Sequence, residues 1–339
     1  MKEIIGRIVG GHPLTDSEAE QLLDHLTSAE LDPSIAAAAL AGMRTRGETA
    51  DELRVFARGL QAKAVSPPIA DVSRVVDVVG TGGDASGSLN LSTGAALLAA
   101  ASGAEIVKHG NRAVSSLSGS FDVLAALGLD VPWDPDRAGD IFEATGFTYL
   151  FAPFFHPSMK AVAPVRQAMG TRTIFNLVGP LANPARAPYL VVGAFSLECA
   201  RMMAETLAGM EITRAFVVHG APGWDEPTPV GPYHLFVVEA GEVSPTVEDP
   251  SLFGFARCAA EDLVGADPEH NAAAIRAVFA GERGPHRDAL VLGASLALRV
   301  TGVAPEESVA RAGSALDEGR AAELLAKLVS LAEKESVGV

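Results

Sequence analysis

A glycine-rich stretch, GTGGDASGSLNLST, follows the apolar run VVDVV and spans residues 80–93. Its glycine spacing satisfies the G-x-G-x-x-[GA] pattern of dinucleotide-binding domains, and Glu105 lies about where a ribose-binding acid belongs. In that fold the helix begins within the glycines, whereas here about ten more turn-forming residues precede the helical pattern near Thr93. The free backbone N–H groups and hydroxyls therefore favour a phosphate-rich ligand that is not a dinucleotide.

A second polar segment, KHGNRAVSSLSGS, spans residues 108–120 and follows the apolar run AEIV. It gathers a lysine, a histidine, an asparagine, an arginine and several serines between a predicted strand and a predicted helix. A solvated loop does not usually concentrate these residue types. Because ligands bind outside the carboxyl ends of parallel strands, the two loops together indicate a site for a multiply phosphorylated molecule.

An acidic pair, Asp225-Glu226, stands in the loop GAPGWDEPTP after the apolar run RAFVVHG. Alone, such a pair is usually solvated surface. Beside a polyphosphate site, carboxylates on a rigid loop hold hydrated Mg²⁺ while the ligand's oxygens complete its coordination. The metal prediction therefore depends on the first two loops.

The elements that position these loops fall into two groups. Residues 1–67 are predicted to form an N-terminal α-helical domain, with capping boxes at TDSE and TADE and a break at Ser66-Pro67-Pro68. Residues 68–339 are predicted to form the domain that binds the phosphorylated ligand, where short apolar runs alternate with amphipathic stretches. The expected fold is α/β, a mostly parallel central sheet flanked by helices, with a separate small α-helical domain.

Three segments depart from this alternation. LFVVEAGEVSP is expected to add an antiparallel hairpin, and about the last 70 residues are predicted to be helical. The segment 156–170 is predicted to be helical and leads into a turn-rich stretch that ends near residue 185. We expect this excursion to pack on the N-terminal helices, which places a cleft between the two units.

Composition excludes several classes of function. The formal net charge of −16 opposes nucleic-acid binding, which usually needs a basic surface. Cys199 and Cys258 lie far apart without histidine or cysteine at metal-ligand spacing, so reduced thiols are expected. No apolar run approaches the ~18 residues of a membrane span, and the N-terminus lacks a signal-peptide pattern. We expect a cytoplasmic protein without membrane or nucleic-acid partners.

The motifs in series resemble those of the anthranilate phosphoribosyltransferases, in a fold family that also contains the pyrimidine nucleoside phosphorylases. The matching segments are GTGGD (80–84), NLST (90–93), KHGNRAVSS (108–116), SGS (118–120), HPSMKAVAPVR (156–166), TIFNLVGPLANPA (173–185) and the acidic pair. The resemblance implies a homodimer that transfers the phosphoribosyl group of 5-phospho-α-D-ribose 1-diphosphate to the amine of anthranilate. It implies the second step of tryptophan biosynthesis from chorismate, with Mg²⁺ as cofactor at two ions per subunit.

The resemblance also assigns roles to matching positions. The donor, 5-phospho-α-D-ribose 1-diphosphate, is expected at Gly80, Gly83, Asp84, Ser88, Asn90, Leu91, Ser92, Thr93, Lys108, His109, Gly110, Asn111, Arg112, Ala113, Val114, Ser115, Ser116 and Ser120. Anthranilate is expected at Gly80, Asn111 and Arg166, and Mg²⁺ at Ser92, Asp225 and Glu226. No catalytic nucleophile is expected; Lys108 and the metal ligands support a loose transition state.

This chain departs from the family pattern where Phe155 and Ala161 replace a commonly found histidine and a basic residue or histidine, which affects the expected anthranilate channel. PTPVGPYHLF after the acidic pair also differs from the commoner version. Three alternatives stay open: a nucleoside phosphorylase, a non-catalytic nucleic-acid-binding relative and a dehydrogenase. The first normally carries a lysine before the glycines, where Val78-Val79 stand here. The net charge opposes the second, and the long loop opposes the third.

Overall fold

The computed structural model describes residues 1–84, 86–112 and 117–333. Its first part is a group of four helices: α1 (Lys2–Val9), α2 (Asp16–Leu26), α3 (Pro33–Arg46) and α4 (Ala50–Lys63). Both predicted capping boxes form, since Thr15 and Thr49 each accept from the N–H three residues on and the glutamate there returns the bond. Side-chain caps of this kind satisfy N–H groups that the helix leaves unpaired.

A seven-stranded sheet follows, with spatial order β3-β2-β1-β4-β5-β6-β7. The strands are β1 (Val75–Gly80), β2 (Glu105–Gly110), β3 (Phe147–Phe151), β4 (Tyr189–Gly193), β5 (Arg214–His219), β6 (Tyr233–Glu239) and β7 (Glu242–Glu248). The first five are parallel, and β6 and β7 form the expected antiparallel hairpin. Strand order reverses at β1, which pairs with both β2 and β4, so the β1–β4 boundary is the topological switch point.

Helices cover both faces of the sheet. Those between strands are α5 (Leu91–Ala101), α6 (Ser120–Ala126), α7 (Pro135–Thr145) and, after β4, α11 (Leu197–Ala208). The C-terminal ones are α12 (Pro268–Phe279), α13 (Pro285–Arg299), α14 (Pro305–Asp317) and α15 (Arg320–Glu333). Helix α13 packs on α5 above one face of the sheet, and α11 packs with α4 on the other side. The elements between the strands agree closely with the sequence prediction.

The excursion after β3 contains three short helices: α8 (Ala152–Phe155), α9 (Ala163–Met169) and α10 (Ile174–Val178). The segment 156–170 is largely helical, as expected, but in two pieces: residues 157–160 form a 3-10 turn, and α9 begins at Ala163. Proline lies in the first turn of each piece, where its missing N–H and fixed φ favour a new start over continuation.

The excursion packs against the N-terminal helices. Val162, Val165 and Ile174 share one hydrophobic core with α1–α4, with α11 and with one face of β4 and β5. A second core lies on the opposite face of the sheet. The excursion thus joins the helical part to the face of β4 and β5 that the N-terminal helices cover. Within the described ranges, no helix is long and apolar enough to cross a membrane.

Candidate active site

The loop after β5 folds back over the carboxyl ends of β1 and β4 and brings Asp225 to the glycine-rich loop. Asp225 Oδ2 accepts a hydrogen bond of 2.7 Å from the Gly82 N–H. A Cβ at Gly193 would lie 1.7 Å from the Asp225 carbonyl oxygen, and one at Gly80 would lie 2.5 Å from Oδ2. Glycine ends both strands because no side chain fits beneath the acidic loop. Two of the three predicted loops therefore meet at the switch point.

Glu226 lies at the N-terminus of α5. Its Oε1 accepts a 3.0 Å hydrogen bond from the Ser92 N–H, in the first turn of the helix. The N-cap residue Asn90 makes no side-chain cap hydrogen bond, so the glutamate carboxylate serves as the cap. A helix N-terminus attracts anions through its free N–H groups and its dipole. The acidic pair thus contacts the N–H groups that the sequence assigns to phosphate binding.

Lys108 is nearly completely buried on the same side of the sheet as these carboxylates. Its Nζ donates to the Val78 carbonyl oxygen at 2.5 Å. Burial lowers the pKa of the ammonium, while the negative charges of Asp77, Glu226 and Asp225 raise it. Burial outweighs the carboxylates, so the pKa of Lys108 lies below its ordinary value even beside the acidic pair.

Three carboxylates lie together around the glycine-rich loop. The Asp225 N–H donates to Asp84 Oδ2 at 3.2 Å. Burial, followed by the charge of Asp84, raises the pKa of Asp225; burial, followed by the charge of Asp225, raises the pKa of Glu226. This excess of negative charge favours a bound cation.

The donor set fits magnesium better than a closed metal cage. Among the described residues, no three His, Cys, Asp or Glu side chains surround one metal position. Mg²⁺ commonly takes only one or two carboxylates and completes its coordination with water and substrate phosphate. Asp225 and Glu226, with Ser92 at the helix start that Glu226 caps, match that requirement.

The second predicted loop begins at the end of β2. Asp77 on β1 accepts from the His109 N–H at 3.1 Å, and the ring centroids of His109 and His156 are 5.1 Å apart. Burial, with a smaller contribution from His156, lowers the pKa of His109 to about 3, so its imidazole is neutral. The Arg112 guanidinium lies 4.1 Å from the Phe121 ring centroid. Ala113, Val114, Ser115 and Ser116 lie outside the described residues.

The two loops are joined directly by Asn90. Its amide donates to the Ser118 carbonyl oxygen at 3.0 Å, and the Ser118 hydroxyl returns a 2.8 Å bond to the amide oxygen. Asn271 of α12 donates to that same oxygen at 2.8 Å. On the second loop, the Ser120 hydroxyl donates to the Asn111 carbonyl oxygen at 3.2 Å. Asn90 therefore holds the two loops in their relative positions, and Ser120 closes the second loop on itself.

The remaining predicted donor residues have local roles. Asp84 Oδ1 accepts from the Ser86 hydroxyl at 2.9 Å, and Ser86 Oγ lies 3.1 Å from Ser88 Oγ, which folds the glycine-rich loop on itself. Leu91 and Thr93 are buried in the first turn of α5. Glycine at 110 lets the Ser120 hydroxyl approach, since a Cβ there would lie 2.3 Å from its oxygen.

Arg166 lies on α9, in the excursion. Its guanidinium carbon is 5.4 Å from the Phe175 ring centroid, and burial lowers its pKa. Within the described part of the chain it forms no hydrogen bond to Gly80 or Asn111, the other two residues expected at the acceptor. The structure thus places Arg166 on the excursion and Gly80 and Asn111 at the ends of β1 and β2, without a direct contact between them in the described residues.

Two polar residues of this region were missed by sequence reasoning. Asp77 is completely buried on β1, where burial raises its pKa to about 6. Its signal was an acid inside the apolar run VVDVV. Arg172, between α9 and α10, donates to the Gly83 carbonyl oxygen and lies 4.1 Å over the Phe195 ring centroid. Nothing in the local sequence pointed to that contact, because it joins segments 89 positions apart.

Comparison with known proteins gives the same assignment. Residues 2–64 match the helical bundle domain model of the glycosyl transferase family, and residues 72–322 match its a/b domain model. The anthranilate phosphoribosyltransferase of Methylobacterium nodulans is 44% identical, over 97% of this chain and 98% of its own. That of Rhodospirillum rubrum is 42% identical, over 98% and 95%.

Two solved structures share this fold over more than nine-tenths of the chain. The crystal structure of anthranilate phosphoribosyltransferase from Thermus thermophilus is 41% identical, covers 97% of this chain and 99% of its own, and superposes with a TM-score of 0.89. The Saccharomyces cerevisiae enzyme in complex with PRPP and Mg shares the fold at 23% identity and a TM-score of 0.85, over 94% and 93%. The predicted fold class, family and pentosyltransferase activity are confirmed. The chain belongs to the anthranilate phosphoribosyltransferase family of glycosyl transferases.

Proposed function

We propose that the β1–β4 cleft binds 5-phospho-α-D-ribose 1-diphosphate and transfers its phosphoribosyl group to the amine of anthranilate, releasing diphosphate. One observation carries this proposal: the acidic pair contacts the N–H groups of both Gly82 and Ser92. Carboxylate oxygens already occupy N–H donors suited to phosphate oxygens. The yeast relative that shares this fold was solved with PRPP and Mg.

Magnesium is proposed at Ser92, Asp225 and Glu226, at two ions per subunit. Support comes from the raised pKa values of the two carboxyls, which reflect buried negative charge in excess of what Lys108 offsets. A bound Mg²⁺ supplies Lewis-acid neutralisation of the charge that grows on the departing diphosphate. The acidic pair holds and orients the metal–diphosphate unit, because its loop packs tightly on the strand ends.

The donor's phosphates are assigned to the two loops: Gly80, Gly83, Asp84, Ser88, Asn90 to Thr93, Lys108 to Ser116 and Ser120. Within this set, Lys108 and the backbone N–H groups place fixed positive potential where charge develops in the transition state. His109 is neutral, so we assign it loop shaping by way of its N–H bond to Asp77.

Anthranilate is assigned to Gly80, Asn111 and Arg166. The guanidinium pairs with the acceptor's carboxylate, in a geometry that can be bidentate, and so directs the amine toward C1 of the ribose. An aromatic amine is a modest nucleophile. We therefore propose a loose, cation-like ribose transition state in which no protein side chain attacks.

Two further parts of the proposal concern the setting of the enzyme. Its sequence resemblance supports a homodimer, and its composition supports a cytoplasmic location. Analytical ultracentrifugation of the purified chain tests the homodimer. A monomer at micromolar concentration would contradict it. Fractionation of the source cells tests the cytoplasmic location.

The reaction itself is tested by the fluorescence of anthranilate. When the purified chain is added to anthranilate and the phosphoribosyl donor, the fluorescence should disappear in the presence of Mg²⁺. With a chelator in place of Mg²⁺ it should stay nearly unchanged. Phosphorolysis of thymidine or uridine in a parallel assay tests the nucleoside phosphorylase alternative. If the anthranilate fluorescence persists and the nucleoside is cleaved, the proposal is wrong and the chain is a nucleoside phosphorylase.

A further inference from the structure

Arg172 connects the excursion to the glycine-rich loop. It lies between α9, which ends at Gly170, and α10, whose Ile174 and Phe175 are buried in the core shared with the N-terminal helices. From there its Nη2 donates to the Gly83 carbonyl oxygen. A Cβ added at Gly83 would lie 2.2 Å from that nitrogen, so glycine is needed for the arginine to reach the loop.

The arginine is held from beneath by an aromatic ring. Its guanidinium carbon lies 4.1 Å from the Phe195 ring centroid, a cation–π contact. Phe195 is itself tied to the same loop, because its N–H donates to the Thr81 hydroxyl at 3.2 Å and the Thr81 N–H donates to the Gly193 carbonyl oxygen at 2.9 Å. The loop is thus fixed at Thr81 by β4 and at Gly83 by Arg172.

The contact at Gly83 controls which way the loop's N–H groups point. In a trans peptide the C=O and the following N–H lie on opposite sides of the chain. With the Gly83 carbonyl held toward Arg172, the N–H of Asp84 is turned away from the arginine. Gly83 has φ +69°, and because glycine populates positive and negative φ about equally, a contact at this carbonyl is what fixes the peptide.

We propose that Arg172 is a positioning residue for the phosphoribosyl donor. It holds the peptide between Gly83 and Asp84 so that the loop's N–H groups face the diphosphate, and Phe195 holds the guanidinium in the orientation this requires. The inference rests on the proposed function, which assigns the donor to this loop. It adds a residue outside the motifs that supply that assignment.

The effect should fall on the donor and spare the acceptor. Arg172→Ala should raise KM for the phosphoribosyl donor about tenfold or more, since hydrogen bonds from charged groups stabilise most. KM for anthranilate should stay within about twofold. Arg172→Lys should recover part of the loss, because an ammonium can still donate to the carbonyl but cannot lie flat on a ring. Phe195→Leu, which keeps apolar volume, should raise donor KM by about threefold.

Calorimetric titration of the donor with Mg²⁺ provides a readout independent of turnover, and Arg201→Ala on the exposed side of α11 is the matched control, with unchanged constants expected. Combining Arg172→Ala with Phe195→Leu should add nothing to Arg172→Ala alone, since both act through one contact. Equal rises in both KM values, or a lowered melting temperature with unchanged donor affinity, would overturn the inference.

Failure of the proposed function would give a different result from failure of the inference about Arg172. In that case the wild-type chain does not consume anthranilate, whereas donor binding and its dependence on Arg172 can still be measured. Failure of the inference alone leaves wild-type turnover intact and the variants indistinguishable from it. If the wild type does not bind the donor, both the proposed function and the inference about Arg172 are wrong.

Discussion

The two sides of the cleft satisfy their polar groups in opposite ways. On the donor side, backbone N–H groups of the glycine-rich loop and of α5 bond to carboxylates, and a buried lysine stands behind them. Where the excursion meets β2, the ring centroids of His109 and His156 lie 5.1 Å apart, and burial lowers the pKa of both imidazoles. Each ring interacts with one backbone group after α10, at Gly179 for His109 and at Ala182 for His156.

This contrast separates what each side contributes. The donor side is organised by charge and by backbone geometry, which suits the phosphate and metal proposed for it. The acceptor residues proposed here, Gly80, Asn111 and Arg166, include one cation. Removing the carboxylates on the donor side should therefore lower turnover most, while changes at Arg172 or Arg166 should mainly alter affinity for one substrate.

The division is tested most strongly at the acidic pair. Asp225→Asn combined with Glu226→Gln should lower kcat by about 10²- to 10³-fold and remove most of the dependence on Mg²⁺, because carboxylate charge is lost while shape is kept. The fold should persist, since buried like charges are removed. Initial rates across a Mg²⁺ titration measure the first effect and circular dichroism the second. Glu242→Gln on exposed β7 is the control. An unchanged metal response would take these carboxylates out of the site.

The second prediction concerns the glycine beneath the acidic loop. Gly193→Ala should displace the loop, because the new Cβ would overlap the Asp225 carbonyl oxygen. We expect Mg²⁺-dependent turnover to fall about 10- to 100-fold, with about 1–3 kcal/mol lost from the free energy of unfolding. Gly313→Ala on α14, where no atom lies within 4 Å of the new Cβ, should stabilise slightly. Equal behaviour of the two variants would show that the loop does not depend on this close approach.

The third prediction concerns Arg166, on the acceptor side. Arg166→Ala should raise KM for anthranilate about tenfold or more and leave donor KM within about twofold, because the guanidinium pairs with the acceptor's carboxylate alone. Steady-state kinetics with each substrate varied in turn provides the measurement. Similar rises for both substrates would contradict the division between the two sides.

Much of the donor side was predictable because its signals are local. Glycines, hydroxyls and the acidic pair stand in contiguous segments after strands, and parallel strands bring such segments to one edge. The reversal of strand order at β1 follows from pairing between distant strands, which no local pattern encodes. Asp77 and Arg172 were missed for the same reason, since their partners lie 32 and 89 positions away. The excursion was predicted as helical, but its break into pieces was not; Pro157 and Pro164 each begin a new turn.

The smallest predicted effect is on stability, and it tests the charge organisation without any substrate. The raised pKa values of Asp225 and Glu226 mean that the folded, metal-free chain keeps protons that the unfolded chain releases above about pH 4. Stability from these groups is present at low pH and is lost as pH rises through their folded pKa values toward and beyond neutrality. Asp77 adds a loss of the same sign near its pKa of about 6.

Without metal, the melting temperature should fall between pH 6 and pH 8.5 in both chains. The fall should be larger in the wild type than in the Asp225→Asn/Glu226→Gln variant, by about 3–6 °C. Asp77 is common to both chains, so the difference between the two profiles reports the acidic pair alone. Adding Mg²⁺ at pH 8.5 should restore the wild type and leave the variant unchanged, because only ionised carboxylates bind the metal. Parallel profiles in differential scanning calorimetry would mean that the pair is solvated in the folded chain, and the electrostatic contrast between the two sides of the cleft would disappear with it.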